Sequence, residues 1–546
     1  MQDDGCCEVR ASPVSGMGTF ATRDLPSGYR LFTELAFLCA KDHDGVPEPP
    51  PSLSSITVQH NLSPACVRLA PSDTGGTLSG CCRETHRFAR AYLSSTSFVR
   101  ASVLSLAPSE GQDTHAMVEL VRAEISLLRD FDSDLRRLPS SELEGAVHRY
   151  WANCMGPEGS LHARGSRFNH SCAANCSRVT LDSSGGAVER AFITLRAVAL
   201  GEELTLSYLP SRIEVMGTAV RRRHLWSSRG FLCSCARCSQ PQDEVRQVAC
   251  PECSRGRGAS GSGSPPAHTG RGDGCRARGE RRDLTQRQPE EGAAFADWWN
   301  QSGMWVCRSC GWCSRIDSDD SEAAAPTKGS LHHQEGILRA DILGLVTADA
   351  SDTSGQSAPA APCGSSVTRE AAREKSRGAG GSGRGLQQDS AGQQAGRDGI
   401  KRMLERSVTL LGRRHWVTFS CAHARLKQEV SALLDRGRGS PPPPSTSAPL
   451  LPETSPSLSP EFLDWAVREL NGLWQWLSAA MGPATSHPPA YYLFDVVCDL
   501  LDAMRGSHQG GAGEKLRPIL ARVDEWVMVF ADEEQRRRFA AASNAG

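Results

Sequence analysis

The 546-residue sequence lacks a surplus of charge of either sign. Its 61 Lys and Arg residues nearly balance its 62 Asp and Glu residues. A chain with this balance has no overall field that would draw it to nucleic acid or to a membrane surface, so any such attraction must be local. We therefore expect no strong nucleic-acid binding.

Long apolar runs are also missing. No stretch reaches the about 20 consecutive apolar residues that a membrane-spanning helix needs. The first residues, Met1 to Glu8, are acidic and lack the basic and apolar regions of a secretory signal. We expect no membrane association and an intracellular location, in the cytoplasm, the nucleus or both.

Cysteine, in contrast, is abundant, with 21 residues. In a reducing compartment a disulfide framework is not expected, so clustered cysteines indicate metal ligands. Cys233, Cys235 and Cys238 form a C-x-C-x-x-C run that offers three thiolates, and a tetrahedral zinc site needs a fourth, for which Cys172 is the natural donor. Free thiols that cluster by chance are the alternative, which this spacing disfavours.

A second group of cysteines has the spacing of a split zinc ribbon. Cys250 and Cys253 form one pair, and Cys307 and Cys310 form the other. The segment between them is rich in Gly, Ser, Arg and Pro, but a long loop adds little closure entropy and does not exclude one shared site. We expect zinc here, with unpaired cysteines as the alternative.

The patterning predicts a mixed α+β protein. Short β alternation covers residues 14–40 and 160–210, and helical periodicity fills most of the interval between them. Residues 254–291 and 317–400 are poor in apolar side chains and are predicted to be disordered. Residues 401–545 have helical spacing, interrupted by a Pro-rich linker at 437–460.

Several motifs then follow in a characteristic order. They are GMGTFATRDL at 16–25, SRFNHSCAAN at 166–175, GEELTLSY at 201–208, and RRRHL followed by GFLCSC within 221–235. Together they resemble SET-domain protein methyltransferases of the SET-and-MYND (SMYD) class, most closely the plant and fungal members with a post-SET cysteine cluster. The MYND finger is expected to be absent, because residues 39–90 have too few Cys and His residues at the required spacing.

The resemblance implies a role for each motif. Tyr208 would be the catalytic tyrosine at the mouth of a lysine channel, and Phe231 would stack on the adenine of S-adenosylmethionine. Cys172 and the C-x-C-x-x-C run would hold the post-SET zinc. The residues that would line the cofactor site are Gly16, Met17, Gly18, Asn153, Asn169, His170, Tyr208 and Phe231, of which Asn153 has the weakest motif support.

On this basis the sequence predicts a monomeric protein-lysine N-methyltransferase that uses S-adenosylmethionine and zinc. Its partner would be a protein substrate with a target lysine, histone or non-histone. The alternative is a catalytically inactive zinc-binding SET scaffold that acts as a protein-interaction module. Tyr208 and Asn169 favour the enzyme, because a scaffold does not need these groups.

The predicted organisation has five parts. A split SET domain covers 5–210, with a helical insertion at about 41–155, and a post-SET zinc module covers 211–240. The split zinc ribbon with its disordered insertion spans 241–316, and a disordered linker spans 317–400. An all-α C-terminal domain at 401–545 would wall one side of the substrate cleft.

Overall fold

A computed structural model describes most of the chain. The described residues are 5–40, 56–60, 76–80, 82–107, 114–156, 159–181, 188–253, 295–299, 304–314, 331–352, 385–437, 459–481, 489–504, 512–531 and 533–543. The predicted disordered segment at 254–291 lies outside these residues, as does most of the Pro-rich linker. No helix of the described part is long and apolar enough to cross a membrane.

The N-terminal region is built from short strands. They are β1 (Cys7–Ala11), β2 (Met17–Ala21), β3 (Arg30–Leu35), β4 (Leu38–Cys39), β7 (Ser160–Leu161), β8 (Asn169–His170), β9 (Cys176–Leu181), β10 (Glu189–Thr194) and β11 (Glu203–Leu206). One sheet has the order β1-β2-β11-β8 and a second has the order β3-β10-β9, while β4 pairs with β7. Only β8 and β11 run parallel among these pairs, so residues far apart in sequence meet there.

Burial of side chains stabilises β10, the central strand of the second sheet. In β10 almost every side chain is buried, and Phe192 stacks on Phe32 of β3 and on Phe168 with centroid distances of 4.8 and 5.2 Å. Such a run is typical of a strand that is covered on both faces. Leu204 and Leu206 of β11 join the same core.

A largely helical insertion separates β4 from β7. It contains a hairpin, β5 (Ile56–His60) and β6 (Gly76–Gly80), followed by helices α1 (Cys82–Ser94), α2 (Ser97–Ser105), α3 (Thr114–Phe131) and α4 (Ser140–Asn153). These helices have their own core, in which Phe88 stacks on Tyr150 at a centroid distance of 4.2 Å. The insertion is therefore helical as predicted, with an additional two-stranded sheet.

Beyond β11 the chain forms two helices and a small sheet. These are α5 (Ser211–Glu214), α6 (Thr218–Arg229), and the strands β12 (Gln242–Ala249), β13 (Phe295–Trp299) and β14 (Met304–Cys307). The three strands are antiparallel in the order β12-β13-β14. The pairing of these strands places Cys250, which follows β12, close to Cys307, the last residue of β14.

The remaining described residues are helical. The helices are α7 (Leu331–Asp352), α8 (Gly385–Leu411), α9 (Trp416–Gly437), α10 (Pro460–Met481), α11 (Pro489–Met504), α12 (Ala512–Phe530) and α13 (Glu533–Ser543). Their core contains many of the tryptophans, including Trp416. The mixed α+β class, with a helical C-terminal region, is confirmed.

The predicted disordered linker at 317–400 is wrong over α7 and over residues 385–400, which form the first part of α8. Leu338 and Ile342 lie one turn apart and are both buried. Glu335, also buried, accepts a hydrogen bond from Arg246 Nε at 2.6 Å and lies 3.2 Å from His415 Nε2. Two apolar side chains and an ion pair with a distant residue hold α7. The composition of the segment does not reveal so few stabilising contacts.

The C-terminal helices pack directly on the β region. Tyr492 of α11 donates a hydrogen bond to the buried carboxylate of Glu214 at 2.8 Å. Val179 and Ile193, from β9 and β10, form a small apolar cluster with Phe530 of α12. Burial raises the pKa of Glu214 to about 7.

The Glu335 ion pair provides a test of α7. Although burial opposes ionisation, the Arg246 guanidinium holds the pKa of Glu335 well below its usual range. Glu335→Gln should lower the free energy of unfolding by about 3 kcal/mol, because it leaves a largely buried guanidinium without its carboxylate. Asp341→Asn, an exposed change on the same helix, is the control. Equal denaturation midpoints for the two variants would argue against the contact.

The burial of Glu214 predicts a pH effect, because it raises the pKa of the carboxyl more than the Tyr492 hydrogen bond lowers it. The ordinary pKa of Glu214 is 4.5 and its folded-state pKa is about 7. As the pH rises, Glu214 therefore ionises in the unfolded chain before it ionises in the folded protein. The stability that protonated Glu214 contributes below pH 4.5 is lost as the pH rises to about 7. Glu214→Gln should reduce this loss in denaturation curves measured across the interval. Glu244→Gln, at an exposed position, should leave the wild-type slope unchanged, and identical slopes for all three proteins would contradict the assignment.

Candidate active site and metal centres

The predicted site residues meet where β2, β8 and β11 lie side by side. Asn169 and His170 of β8 pair with Thr205 and Leu206 of β11. The amide of Asn169 donates to the Glu203 carboxylate at 2.7 Å and to the Ser15 carbonyl at 3.1 Å. Asn169 thereby connects the parallel strand pair to the glycine-containing loop before β2.

The loop itself needs glycine at two positions. Gly16 has a φ of +51°, in the left-handed region that favours glycine. A Cβ at Gly18 would overlap the carboxylate of Glu203, which also accepts a hydrogen bond from Ser12 Oγ at 3.0 Å. Glu203 organises this loop, although we did not predict it as a site residue; its only sequence signal is its place in the GEELTLSY motif.

His170 connects the predicted catalytic tyrosine to the first cysteine cluster. Its Nδ1 accepts a hydrogen bond from the backbone N–H of Tyr208 at 3.0 Å. Its Nε2 lies 3.3 Å from Cys172 Sγ. Burial lowers the pKa of His170 to about 3, so the ring is neutral. Because Nδ1 accepts a hydrogen bond, the single ring proton is on Nε2.

Tyr208 follows β11 and faces an aromatic corner. Its hydroxyl donates to the carbonyl of Phe168. Its ring is perpendicular to Phe231 at a centroid distance of 6.4 Å, and the Phe231 and His170 rings are 5.8 Å apart. Burial raises the pKa of Tyr208, so the hydroxyl stays protonated at neutral pH.

Arg229 is a further charged residue at this corner that we did not predict. Its guanidinium carbon lies 5.6 Å from the centroid of the Tyr208 ring. It donates to the carbonyls of Trp151 at 2.5 Å and Cys154 at 3.0 Å, at the C-terminal end of α4. The helical insertion thus reaches the tyrosine through one side chain.

Asn153 is not brought into this group. Its Nδ2 donates to the Ala107 and Arg149 carbonyls, each at 2.8 Å. Both bonds remain within the helical insertion, and none of its described contacts reaches Asn169, His170 or Tyr208. The position of Asn153 at the last turn of α4 turns its amide back onto the helix.

The first cysteine cluster assembles as expected. The sulfur atoms of Cys172, Cys233, Cys235 and Cys238 all lie within 4.8 Å of one another. Contact with Cys172 lowers the pKa of Cys235 and Cys238, whereas the pKa values of Cys172 and Cys233 are raised by their neighbouring thiols and by burial. Four converging sulfurs are the donor set of a structural zinc ion.

The second cluster brings together both halves of the split ribbon. The sulfurs of Cys250, Cys253, Cys307 and Cys310 also lie within 4.8 Å of one another. The Cys250–Cys310 and Cys253–Cys307 sulfur distances are 3.6 and 3.8 Å. This donor set also fits a tetrahedral zinc ion, so both groups of four cysteines could bind zinc.

A cavity of about 240 Å³ lies beside the site, between β9 and the C-terminal helices. Leu206 and Ser207, directly before Tyr208, form part of its wall. Residues 176–180 of β9 line one side, and Tyr491, Trp526 and Phe530 line the helical side. The cavity therefore extends from the segment that carries the tyrosine to the C-terminal helices.

Part of the chain matches a known protein family. Residues 16–209 match the family model of the SET domain. The chain therefore contains a SET domain. The matched segment runs from the glycine loop to the residue after Tyr208, and it includes Asn169 and His170. No curated protein matches the chain.

The SET assignment agrees with the geometry. SET domains bind S-adenosylmethionine and typically methylate lysine side chains of proteins. Asn169 contacts the glycine loop, and the neighbouring His170 lies beside the rings of Tyr208 and Phe231.

The two clusters predict a metal content of about two zinc ions per chain. Cys172→Ser should lose one ion and also weaken S-adenosylmethionine binding, because Cys172 contacts His170 and its cluster holds the segment after Phe231. Cys310→Ser should lose the other ion and leave cofactor binding unchanged. Metal analysis and calorimetry measure the two effects.

Cys313→Ser is the matched control, since Cys313 is exposed and lies near the second cluster without belonging to it. It should retain about two ions. A wild-type content of about one ion would reject the second site. Unchanged cofactor binding in Cys172→Ser would separate the first cluster from the cofactor site.

Proposed function

We propose that this protein is an S-adenosylmethionine-dependent protein-lysine N-methyltransferase in which Tyr208 is the catalytic tyrosine. The observation that carries the proposal is the fixed position of Tyr208 at the aromatic corner. Its backbone is held by His170 and its hydroxyl by Phe168. The acceptor would be a histone or non-histone protein, and the enzyme would act as a monomer.

The cofactor would occupy the corner between the glycine loop and Phe231. Gly16, Met17 and Gly18 would contribute backbone groups, and Asn169 and His170 would contact the amino-acid and adenosine parts. Asn153 is left out of this proposal, because its amide is bonded to Ala107 and Arg149. When bound, S-adenosylmethionine supplies a methyl group on a positively charged sulfur.

The acceptor lysine must be neutral before its amine can attack a methyl group, although its ordinary pKa is about 10.4. The buried corner disfavours an ammonium, and the Arg229 guanidinium near the Tyr208 ring repels it. The proton would leave to solvent. The nitrogen lone pair would form the new N–C bond as the bond between that methyl carbon and the sulfur breaks, with its electron pair left on the sulfur as a neutral thioether. Tyr208 orients the amine in line with the methyl group, and backbone carbonyls nearby offer weak C–H···O contacts.

The SET-and-MYND class without its finger is the subclass that we propose. The order of the motifs supports it, as do the C-x-C-x-x-C cluster after the SET domain and the helices at 401–545. Glu214 and Tyr492 join those helices to the SET region. We propose the domain boundaries that the sequence predicts, except that α7 and the first part of α8 belong to the folded part.

The second candidate function is a catalytically inactive zinc scaffold. Two cysteine clusters and a large helical surface favour it. The scaffold hypothesis gives no reason for a partly buried tyrosine held by His170 and Phe168, whereas the proposed enzyme uses one. Binding of S-adenosylmethionine by folded, zinc-loaded protein distinguishes the two.

Tyr208→Phe tests the proposed chemistry. It removes only the hydroxyl, so the aromatic corner remains filled, but the orientation of the amine is lost. We expect methyl transfer to fall by about a hundred-fold while the affinity for S-adenosylmethionine is nearly unchanged. Labelled methyl transfer to a protein extract and calorimetry give the two measurements.

Tyr29→Phe is the control, because Tyr29 is a half-buried tyrosine of the same domain whose hydroxyl contacts Arg23. It should retain wild-type transfer. Equal activity of Tyr208→Phe and wild type would remove Tyr208 from the chemistry. Absence of cofactor binding in the zinc-loaded wild type would reject the enzyme altogether.

A further inference from the structure

The cavity between β9 and the C-terminal helices is positively charged. Among its described lining residues, the charged side chains are Arg178 and Arg190, and no acidic residue is present. We call it the arginine cavity. Its other walls combine polar, aliphatic and aromatic side chains, with Tyr491 and Trp526 on the helical side.

Strand register places the two arginines on one face. Arg190 of β10 pairs with Thr180 of β9, and Phe192 pairs with Arg178. Arg178 and Arg190 are therefore diagonal neighbours, with Cα atoms roughly 7–8 Å apart. This spacing allows both guanidinium groups to reach one carboxylate or phosphate between them.

Hydrogen bonds hold each guanidinium at the wall. Arg178 Nη1 donates to the Ser207 carbonyl at 3.0 Å, and Arg190 Nη1 donates to Thr180 Oγ1 at 3.1 Å. Ser207 directly precedes Tyr208. Burial raises the pKa of the Tyr208 hydroxyl, and the nearby charge of Arg178 partly offsets this rise. The arginine cavity thus begins next to the catalytic tyrosine.

We propose that the arginine cavity binds an anionic side chain of the acceptor protein close to the lysine that is methylated. This inference rests on the proposed methyltransferase function. Two fixed guanidinium groups in a partly enclosed space form strong, charge-assisted hydrogen bonds with a carboxylate or phosphate. They would repel a second lysine or arginine at the same position.

The position of β9 supports an acceptor segment here. β9 is an edge strand of its described sheet, and five consecutive residues, 176–180, line the cavity. Side chains of a strand alternate between faces, so a consecutive run can line one space only along the edge of the strand. An extended segment beside that edge would place one side chain near the arginines and another near Tyr208.

Peptides of one sequence, with a central lysine, test the inference. Each flanking position is occupied in turn by Glu, phosphoserine, Gln or Lys. We expect Glu or phosphoserine at one position to raise kcat/KM at least about ten-fold over Gln, and Lys to lower it. Comparison of the Glu peptide with the phosphoserine peptide shows whether the cavity prefers a carboxylate or a phosphate.

Variants of the arginines complete the test. Arg178→Gln should remove most of the preference for the anion, and added salt should weaken it. Arg30→Gln is the matched control, since Arg30 is exposed on β3, at the other edge of the same sheet. It should retain the full preference, whereas equal loss in both variants would overturn the assignment to the cavity.

A binding measurement keeps the two proposals separate. Fluorescence anisotropy of the same peptides on the Tyr208→Phe protein reports recognition without methyl transfer. Equal affinity for the Glu and Gln peptides, including no measurable binding, overturns the arginine cavity even if the wild type is active. A clear preference in a wild-type protein that transfers no methyl group would retain the cavity and reject the enzyme.

Discussion

The neutral imidazole of His170 joins the parts of this site. One ring nitrogen fixes the backbone of Tyr208 and the other faces the sulfur of Cys172. Because the ring has only one proton, these two contacts determine which nitrogen carries it. The tyrosine and the first cysteine cluster are thus connected through one buried side chain.

This connection explains why the cysteine cluster lies so close to the site. Cys172 is two residues from His170, whereas Cys233, Cys235 and Cys238 come from the segment after α6. The convergence of the four sulfurs fixes residues 233–238. The preceding residues Arg229 and Phe231 are thereby held facing Tyr208. A metal ion at the cluster would hold an aromatic wall of the site in place without touching it.

The helical regions contribute from two sides. The insertion supplies the carbonyls that hold Arg229, and the C-terminal helices supply Tyr492 and the far wall of the arginine cavity. Each shares an apolar core with the SET region, which includes Leu161 on the side of the insertion and Leu209 on the side of the C-terminal helices. The SET sheets therefore provide the site, and the helices determine which surface is open beside it.

The sequence by itself determined the order of the motifs, the β and helical regions and both cysteine sets. These features are encoded by residue type at short spacing, and the structure places Asn169, His170, Tyr208 and Phe231 together as their motifs predict. Only the tertiary structure decided the bond between Glu203 and Asn169, the position of Arg229 and the engagement of Asn153 within α4. It also decided that α7 is ordered and that two arginines share a cavity. The physical reason is that these depend on strand register and on contacts between distant segments, which periodicity and composition do not specify.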